Sequence, residues 1–285
     1  MRSFFAITVA LLVAFFFLSL CCVAIYFELY GPHKNTVFFN KQEDQLFRFS
    51  SGSIRINIQG DDKNNTVVLL HGFNSSLERW NKVVPLLVGC GKIIRLDIPG
   101  YGFSQWGSDD FSLQAQSARV VKLLERLDVE NVSLVGTSMG ASIAATLAAS
   151  FPDKVASLVL IAPSAYPGSL KSSMGLELFY RPGMANKLAT YLVGTTVFKK
   201  LFPESVMLQA LSVTASYGQP WADSLSKIKQ PTTLIWSEAD KTASFQYADK
   251  ILASLANARL VMAEADSGHH VVIKEPGLIA RQLCQ

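Results

Sequence analysis

From residue 45 onward, short unbroken runs of β-branched residues and leucine alternate with longer stretches whose apolar positions recur every three or four residues. The first kind predicts strands buried on both faces, the second amphipathic helices. Strands are predicted at 66–70 (TVVLL), 92–96 (KIIRL), from 132 into the turn at Ser138, and at 155–161 (VASLVLI), 232–236 (TTLIW) and 258–262. Residues 45–49 and 53–58, joined by Ser50-Ser51-Gly52, predict an opening hairpin. Helices are predicted over 111–127, over 139–150 where Phe151-Pro152 breaks the pattern, near 245–255, and after Pro276. Strands alternating with helices predict an α/β fold with a mostly parallel central sheet and helices on both faces.

Two segments stand outside this alternation. Between 164 and 228 there is no strand pattern, only Gly and Pro breaks and short apolar helical stretches around Leu188, Tyr191, Phe198 and Phe202. An insertion there, between two sheet strands, predicts a helical cap over the carboxyl edge of the sheet, where open α/β folds bind ligands. The cap's apolar residues would pack it on the core and wall a pocket from above. The other segment is 4–27, which carries no charge and exceeds the about 20 residues that span a bilayer. A cleaved secretory signal has a shorter apolar core and a small-x-small site, and Cys22-Val23-Ala24 is a poor version of one. An uncleaved single-pass anchor is therefore expected. The very short N-terminal tail favours an inside N-terminus, with the rest of the chain on the non-cytoplasmic side, although Lys34, Lys41 and Arg48 pull the other way. The layout is an anchor at 1–30, a linker at 31–44, a core at 45–163 and 229–285, and a cap at 164–228.

Composition adds exclusions. The chain has 285 residues, 49% apolar and 17% charged, which suits one globular domain plus an apolar segment. Its net charge of +4 is spread without a basic run or stripe, so nucleic acid is not an expected partner. Cys21 and Cys22 lie in the apolar run, and Cys90 and Cys284 are far apart with no CxxC spacing, which reads as free thiols rather than a metal or redox site. Gly100 and Gly102 invite a dinucleotide reading, but Gln105 stands where its third glycine belongs. No cofactor is implied.

The candidate chemistry centres on Gly136-Thr137-Ser138-Met139-Gly140. A serine on a tight strand-to-helix turn projects its hydroxyl from the sheet, and glycines two residues away on each side leave room for that turn. Four further signals follow strands: His71-Gly72-Phe73, Asp97-Ile98-Pro99-Gly100-Tyr101-Gly102-Phe103-Ser104, Asp240, and Ser267-Gly268-His269.

Together, in this order, these motifs resemble the α/β-hydrolase fold family over about residues 45–285, and within it the serine-hydrolase branch of membrane-anchored monoacylglycerol lipase-like esterases. The resemblance implies a triad of nucleophile Ser138, acid Asp240 and base His269. Glu238 or Asp266 could replace the acid, and His270 could replace the base. It also implies an oxyanion hole from the backbone N–H groups of Phe73 and Met139, and it makes His71 a structural residue shaping its loop. The expected activity is hydrolysis of carboxylic esters, lipophilic ones such as monoacylglycerols, through an acyl-enzyme on Ser138. A C–C bond hydrolase of ring-cleavage diketones is the alternative, and a non-catalytic ligand-binding homologue the next. Serine at 138 argues against the dehalogenase and epoxide hydrolase branches, which resemble this pattern but use aspartate there.

Overall fold

The computed structural model of the chain describes residues 39–61, 65–107, 110–164 and 221–284, with single positions at 184, 187, 188, 191, 195 and 197. The expected anchor, most of the linker and most of the cap lie outside the described residues. Among the described residues, no helix is long and apolar enough to cross a membrane.

The predicted strands form one sheet. β1 (Asp44–Phe49), β2 (Gly52–Gln59), β3 (Thr66–Leu70), β4 (Lys92–Leu96), β6 (Val132–Thr137), β7 (Val155–Ile161), β8 (Thr232–Trp236) and β9 (Ala258–Met262) lie in the order β1-β2-β4-β3-β6-β7-β8-β9, and a two-residue β5 (Gln105–Trp106) pairs with β2. Neighbours from β4 to β9 pair in parallel; the hairpin strand β2 runs antiparallel to β4. Parallel strands covered by helices on both faces bury every residue, which is why these runs read as continuously apolar. All five residues of β3, of β4 and of β8 are buried.

Alternate residues feed two cores. Val68, Leu70, Leu134, Leu158, Leu160 and Leu234 face α1 (Leu113–Arg126), α2 (Met139–Ser150) and α3 (Ala248–Ser254). Val67, Leu69, Val135, Val159, Ile161 and Ile235 face Trp80, Val84 and Leu87 from short 3-10 turns, and Val271, Val272 and Ile279 from α4 (Val271–Lys274) and α5 (Pro276–Ala280). α1 starts at Ser112, whose hydroxyl accepts from Ala115 N–H, a capping interaction worth about 1 kcal/mol. α2 is apolar nearly all round because it lies between the sheet, α1 and the 3-10 turn at Trp221–Lys227. That turn falls within the segment assigned to the cap, yet Leu225 and Ile228 are buried in the same core cluster as α2. Of the cap positions described, Leu188 and Tyr191 are exposed rather than packed on the core.

The reading of Cys90 and Cys284 as free thiols is overturned. They form a disulfide across 194 residues, with Cα atoms 5.2 Å apart. Cys90 sits between the turn at Val84–Leu87 and β4, and Cys284 follows α5, so the bond fastens the end of the chain to the amino edge of the sheet. Sequence spacing hides this pairing, because the fold alone carries the C-terminal helices back to that edge. Double replacement Cys90→Ser/Cys284→Ser should lower unfolding stability by about 2–4 kcal/mol. Urea titration measures this, and a non-reducing digest should yield one linked peptide pair that separates on reduction; unlinked peptides from oxidised protein would refute the bond.

Candidate active site

Ser138 occupies the crest of the turn between β6 and α2, at φ 54° and ψ −118°, a region that costs a non-glycine residue about 1–3 kcal/mol. The turn is closed from both sides. A Cβ on Gly136 would overlap the Gly140 carbonyl, and one on Gly140 would overlap the carbonyls of Leu70 and His71. Ser138 N–H donates to Ile161 O at 2.8 Å, so β7 holds the strained residue by its backbone. Ser138 heads α2 without using its side chain as a cap, and among the described residues its hydroxyl has no hydrogen-bond partner. Among the described residues, no hydrogen bond joins Ser138 Oγ to His269.

Asp240 lies in the loop after β8. Its buried carboxylate accepts at Oδ1 from the N–H groups of Thr242 (2.8 Å) and Ala243 (2.9 Å), and its Oδ2 stands 2.7 Å from His269 Nδ1. The other three candidates lie elsewhere. Glu238 is exposed beside a shallow cavity it shares with Glu264; Asp266 is exposed near Lys274; and His270 turns its Nδ1 toward Arg79 Nη2 at 3.4 Å. Burial, together with the Arg79 charge, lowers the His270 pKa. Ser237, which sequence reasoning missed, joins the two loops of the pair: its hydroxyl donates to the carbonyls of Glu264 and Ala265 and accepts from Gly268 N–H, next to His269.

On the other side of Ser138, two loops are pinned by buried polar groups. Asp97, at the end of β4, accepts from Leu77 N–H (2.7 Å) at one oxygen and from Phe103 N–H (2.8 Å) at the other. Arg55 of β2 donates to Asp97, to Asp44 and to Glu78, with the rings of Phe39 and Phe103 over its guanidinium. Arg55 is 1% exposed. Burial works against its charge, but three carboxylates outweigh burial and raise its pKa. Nothing in the period-two pattern of SIRINI separates such a buried arginine from a solvated one.

His71 is fully buried between these loops. Ile98 N–H donates to its Nε2 (2.9 Å) and its Nδ1 lies 2.7 Å from Gly72 O. Burial lowers its pKa to about 4, with the Arg79 charge acting the same way and the Gly72 hydrogen bond opposing. Burial raises Asp97 to about 6 against the opposing pull of its two N–H donors and Arg55.

A family model described as the alpha/beta hydrolase fold matches residues 65–194, which hold β3, β4, β6, β7 and the Ser138 turn. The chain carries the α/β-hydrolase fold. Among curated relatives, monoacylglycerol lipase ABHD6 of Homo sapiens is 26% identical and aligns over 76% of this chain and 73% of its own length. An uncharacterized hydrolase, YugF of Bacillus subtilis, is 28% identical over 76% of this chain and 88% of its own. Among solved structures, a putative lipase from Acinetobacter baumannii superposes with TM-score 0.67 at 20% identity, covering 84% of this chain and 89% of that one. Ser138 after β6, Asp240 after β8 and His269 after β9 all lie at the carboxyl edge of the sheet.

The two buried titratable groups give opposite pH dependences. His71 has its pKa depressed in the fold, so its contribution is present above about 6.5 and is lost as pH falls toward 4. Asp97 has its pKa raised, so its contribution is present below about 4 and is lost as pH rises through 6. Measured by urea unfolding at pH 7 and pH 4, the deficit of His71→Asn relative to wild type should shrink on acidification, and that of Asp97→Asn should grow, each by about 2 kcal/mol. Deficits independent of pH would contradict both assignments.

Proposed function

We propose that this chain is a serine hydrolase of lipophilic carboxylic esters, monoacylglycerols among them, acting through an acyl-enzyme on Ser138. The observation that carries the reading is a serine on a strained strand-to-helix turn, at the same sheet edge as a buried carboxylate 2.7 Å from a histidine nitrogen. The relatives named as lipases support the substrate class. Ser138 Oγ attacks the ester carbonyl carbon while His269 Nε2 takes its proton. Asp240 fixes the proton on Nδ1 and stabilises the imidazolium; the two loop N–H groups leave its second oxygen occupied and its orientation fixed. The oxyanion is held by the N–H groups of Phe73 and Met139, the latter in the first turn of α2. The tetrahedral adduct then expels the alcohol, which receives the proton from His269. Water repeats the sequence on the acyl-enzyme and releases the fatty acid.

The apolar segment 4–27 serves in this reading as an uncleaved anchor that keeps the cap near dissolved lipid. The Cys90–Cys284 disulfide supports a position outside the cytoplasm, since such bonds persist in oxidising compartments.

Ser138→Ala should abolish ester hydrolysis and covalent labelling by a fluorophosphonate, and Asp240→Asn should lower kcat by a factor on the order of 10⁴. Glu238→Gln should change kcat little. A larger loss for Glu238→Gln than for Asp240→Asn would move the acid. Across saturated monoacyl substrates, kcat/KM should climb with chain length, each buried CH₂ adding up to about 0.8 kcal/mol until the pocket is full. A flat profile from acetyl to dodecanoyl together with turnover of a ring-cleavage diketone would favour C–C hydrolysis instead. The protein should also resist alkaline carbonate extraction from membranes; a soluble mature chain starting after Ala24 would identify a signal peptide.

A further inference from the structure

Glu264, Ala265 and Asp266 are exposed, and a solvated turn can leave its backbone groups to water. Here, instead, five consecutive residues before His269 are each held by a side chain from outside the turn. Glu264 N–H and the Ser267 hydroxyl both donate to Glu275 Oε1, the former at 2.9 Å. The fully buried Ser237 hydroxyl shares its proton between the carbonyls of Glu264 (2.9 Å) and Ala265 (3.1 Å) and accepts from Gly268 N–H at 3.2 Å. Lys274 Nζ donates to the Asp266 carbonyl. This restraint has a local cause. The 3-10 winding of Ala265–His270 is broken at Gly268, at φ 50° and ψ −130°, so no continuous helical hydrogen bonding runs through the turn to fix the residue that follows. That residue is His269. Its Nδ1 stands 2.7 Å from Asp240 Oδ2, and Asp240 N–H donates to Ser237 O at 3.1 Å. Ser237 thus opens the Asp240 loop with its backbone and holds the His269 loop with its hydroxyl, while Glu275 grips the same turn from the joint of α4 and α5.

We propose that Ser237 and Glu275 are positioning residues of the Asp240–His269 pair: they clamp residues 264–268 so that the imidazole already stands opposite Asp240 before an ester binds. The proposal rests on the ester-hydrolase reading above and adds to it two side chains outside the proposed triad. A misplacement of about 1 Å in a reacting group costs on the order of 10² in rate, so small movements of this turn are felt. Ser237→Ala removes one oxygen atom, which takes the acceptor from Gly268 N–H and the donor from the carbonyls of Glu264 and Ala265. Glu275→Gln keeps a carbonyl oxygen that can accept both hydrogen bonds, whereas Glu275→Leu keeps the approximate volume and accepts neither. In this role the charge of Glu275 is dispensable and its oxygen is not.

The test compares full-length Ser237→Ala, Glu275→Gln and Glu275→Leu with wild type, in detergent micelles, by two measurements: steady-state hydrolysis of nitrophenyl butyrate, and proton NMR of the His269 Nδ1–H, whose downfield resonance reports its hydrogen bond to Asp240. Ser237→Ala and Glu275→Leu should each lose on the order of tenfold in kcat with KM unchanged within about twofold, and the Nδ1–H resonance should move upfield or broaden. Glu275→Gln should stay within about threefold of wild type in kcat and keep the resonance. If Glu275→Leu does not fold, Ser237→Ala and Glu275→Gln, assayed well below their melting temperatures, carry the comparison. Wild-type kcat in Ser237→Ala, a loss confined to KM, an unmoved resonance in a variant that has lost rate, or a loss in Glu275→Gln as large as in the other variants would overturn the clamp alone. A wild-type protein that neither hydrolyses esters nor takes a fluorophosphonate label would overturn the ester-hydrolase reading with it.

Discussion

The left-handed backbone at Ser138 is the constraint on which the rest of the site depends. An L residue other than glycine does not rest there unaided, and here the surrounding structure supplies the compensation. β7 accepts the Ser138 N–H, the helix α2 begins at once, and Gly136 and Gly140 let the strand, the helix and the end of β3 approach to backbone contact. Gly140 meets the carbonyls of Leu70 and His71, so the Ser138 turn is packed directly on the strand end that leads into the Phe73 loop. The contact that forces serine into its strained conformation therefore also sets the distance to the proposed oxyanion donor.

Around this turn the molecule separates two kinds of restraint. On the β8 and β9 side, Asp240 and His269 are held by local hydrogen bonds, with Ser237 joining their loops. On the β4 side, the loops 71–77 and 97–104 hang on Asp97 and, through it, on the buried Arg55 and its partners Asp44 and Glu78. A buried ion cluster of this kind adds little net stability over well-packed apolar side chains, and its retention fits a need for fixed loop geometry. Breaking one member leaves a buried charge without its partner, so the cluster behaves as a unit.

Covalent restraint sits at the opposite edge. The Cys90–Cys284 bond closes the amino edge of the sheet, away from Ser138, and ties α5 to the segment before β4. The disulfide and the candidate site thus lie at opposite ends of the same strands, as the parallel arrangement encourages, since all the carboxyl ends open onto one edge.

Most of the fold was legible in the chain itself, because runs such as TVVLL and VASLVLI can be strands only where both faces are covered, and the Gly-x-Ser-x-Gly turn has one stereochemical use. The resemblance also named Asp240 and His269, and the structure places Asp240 Oδ2 2.7 Å from His269 Nδ1. Other features were decided only by tertiary structure. Arg55 looks in sequence like any solvent-facing strand residue, and only the assembled fold surrounds it with carboxylates, Asp44 from β1, Glu78 from a 3-10 turn and Asp97 from the end of β4. Cys90 and Cys284 carry no spacing signal, and only the return of the C-terminal helices sets them 5.2 Å apart. Glu238, Asp266 and His270, named as possible replacements, are exposed, with His270 Nδ1 3.4 Å from Arg79 Nη2, and residue type alone does not give those placements. Residue identity and periodicity determine what each segment is, but distances across 20 to 194 residues belong to the assembled sheet.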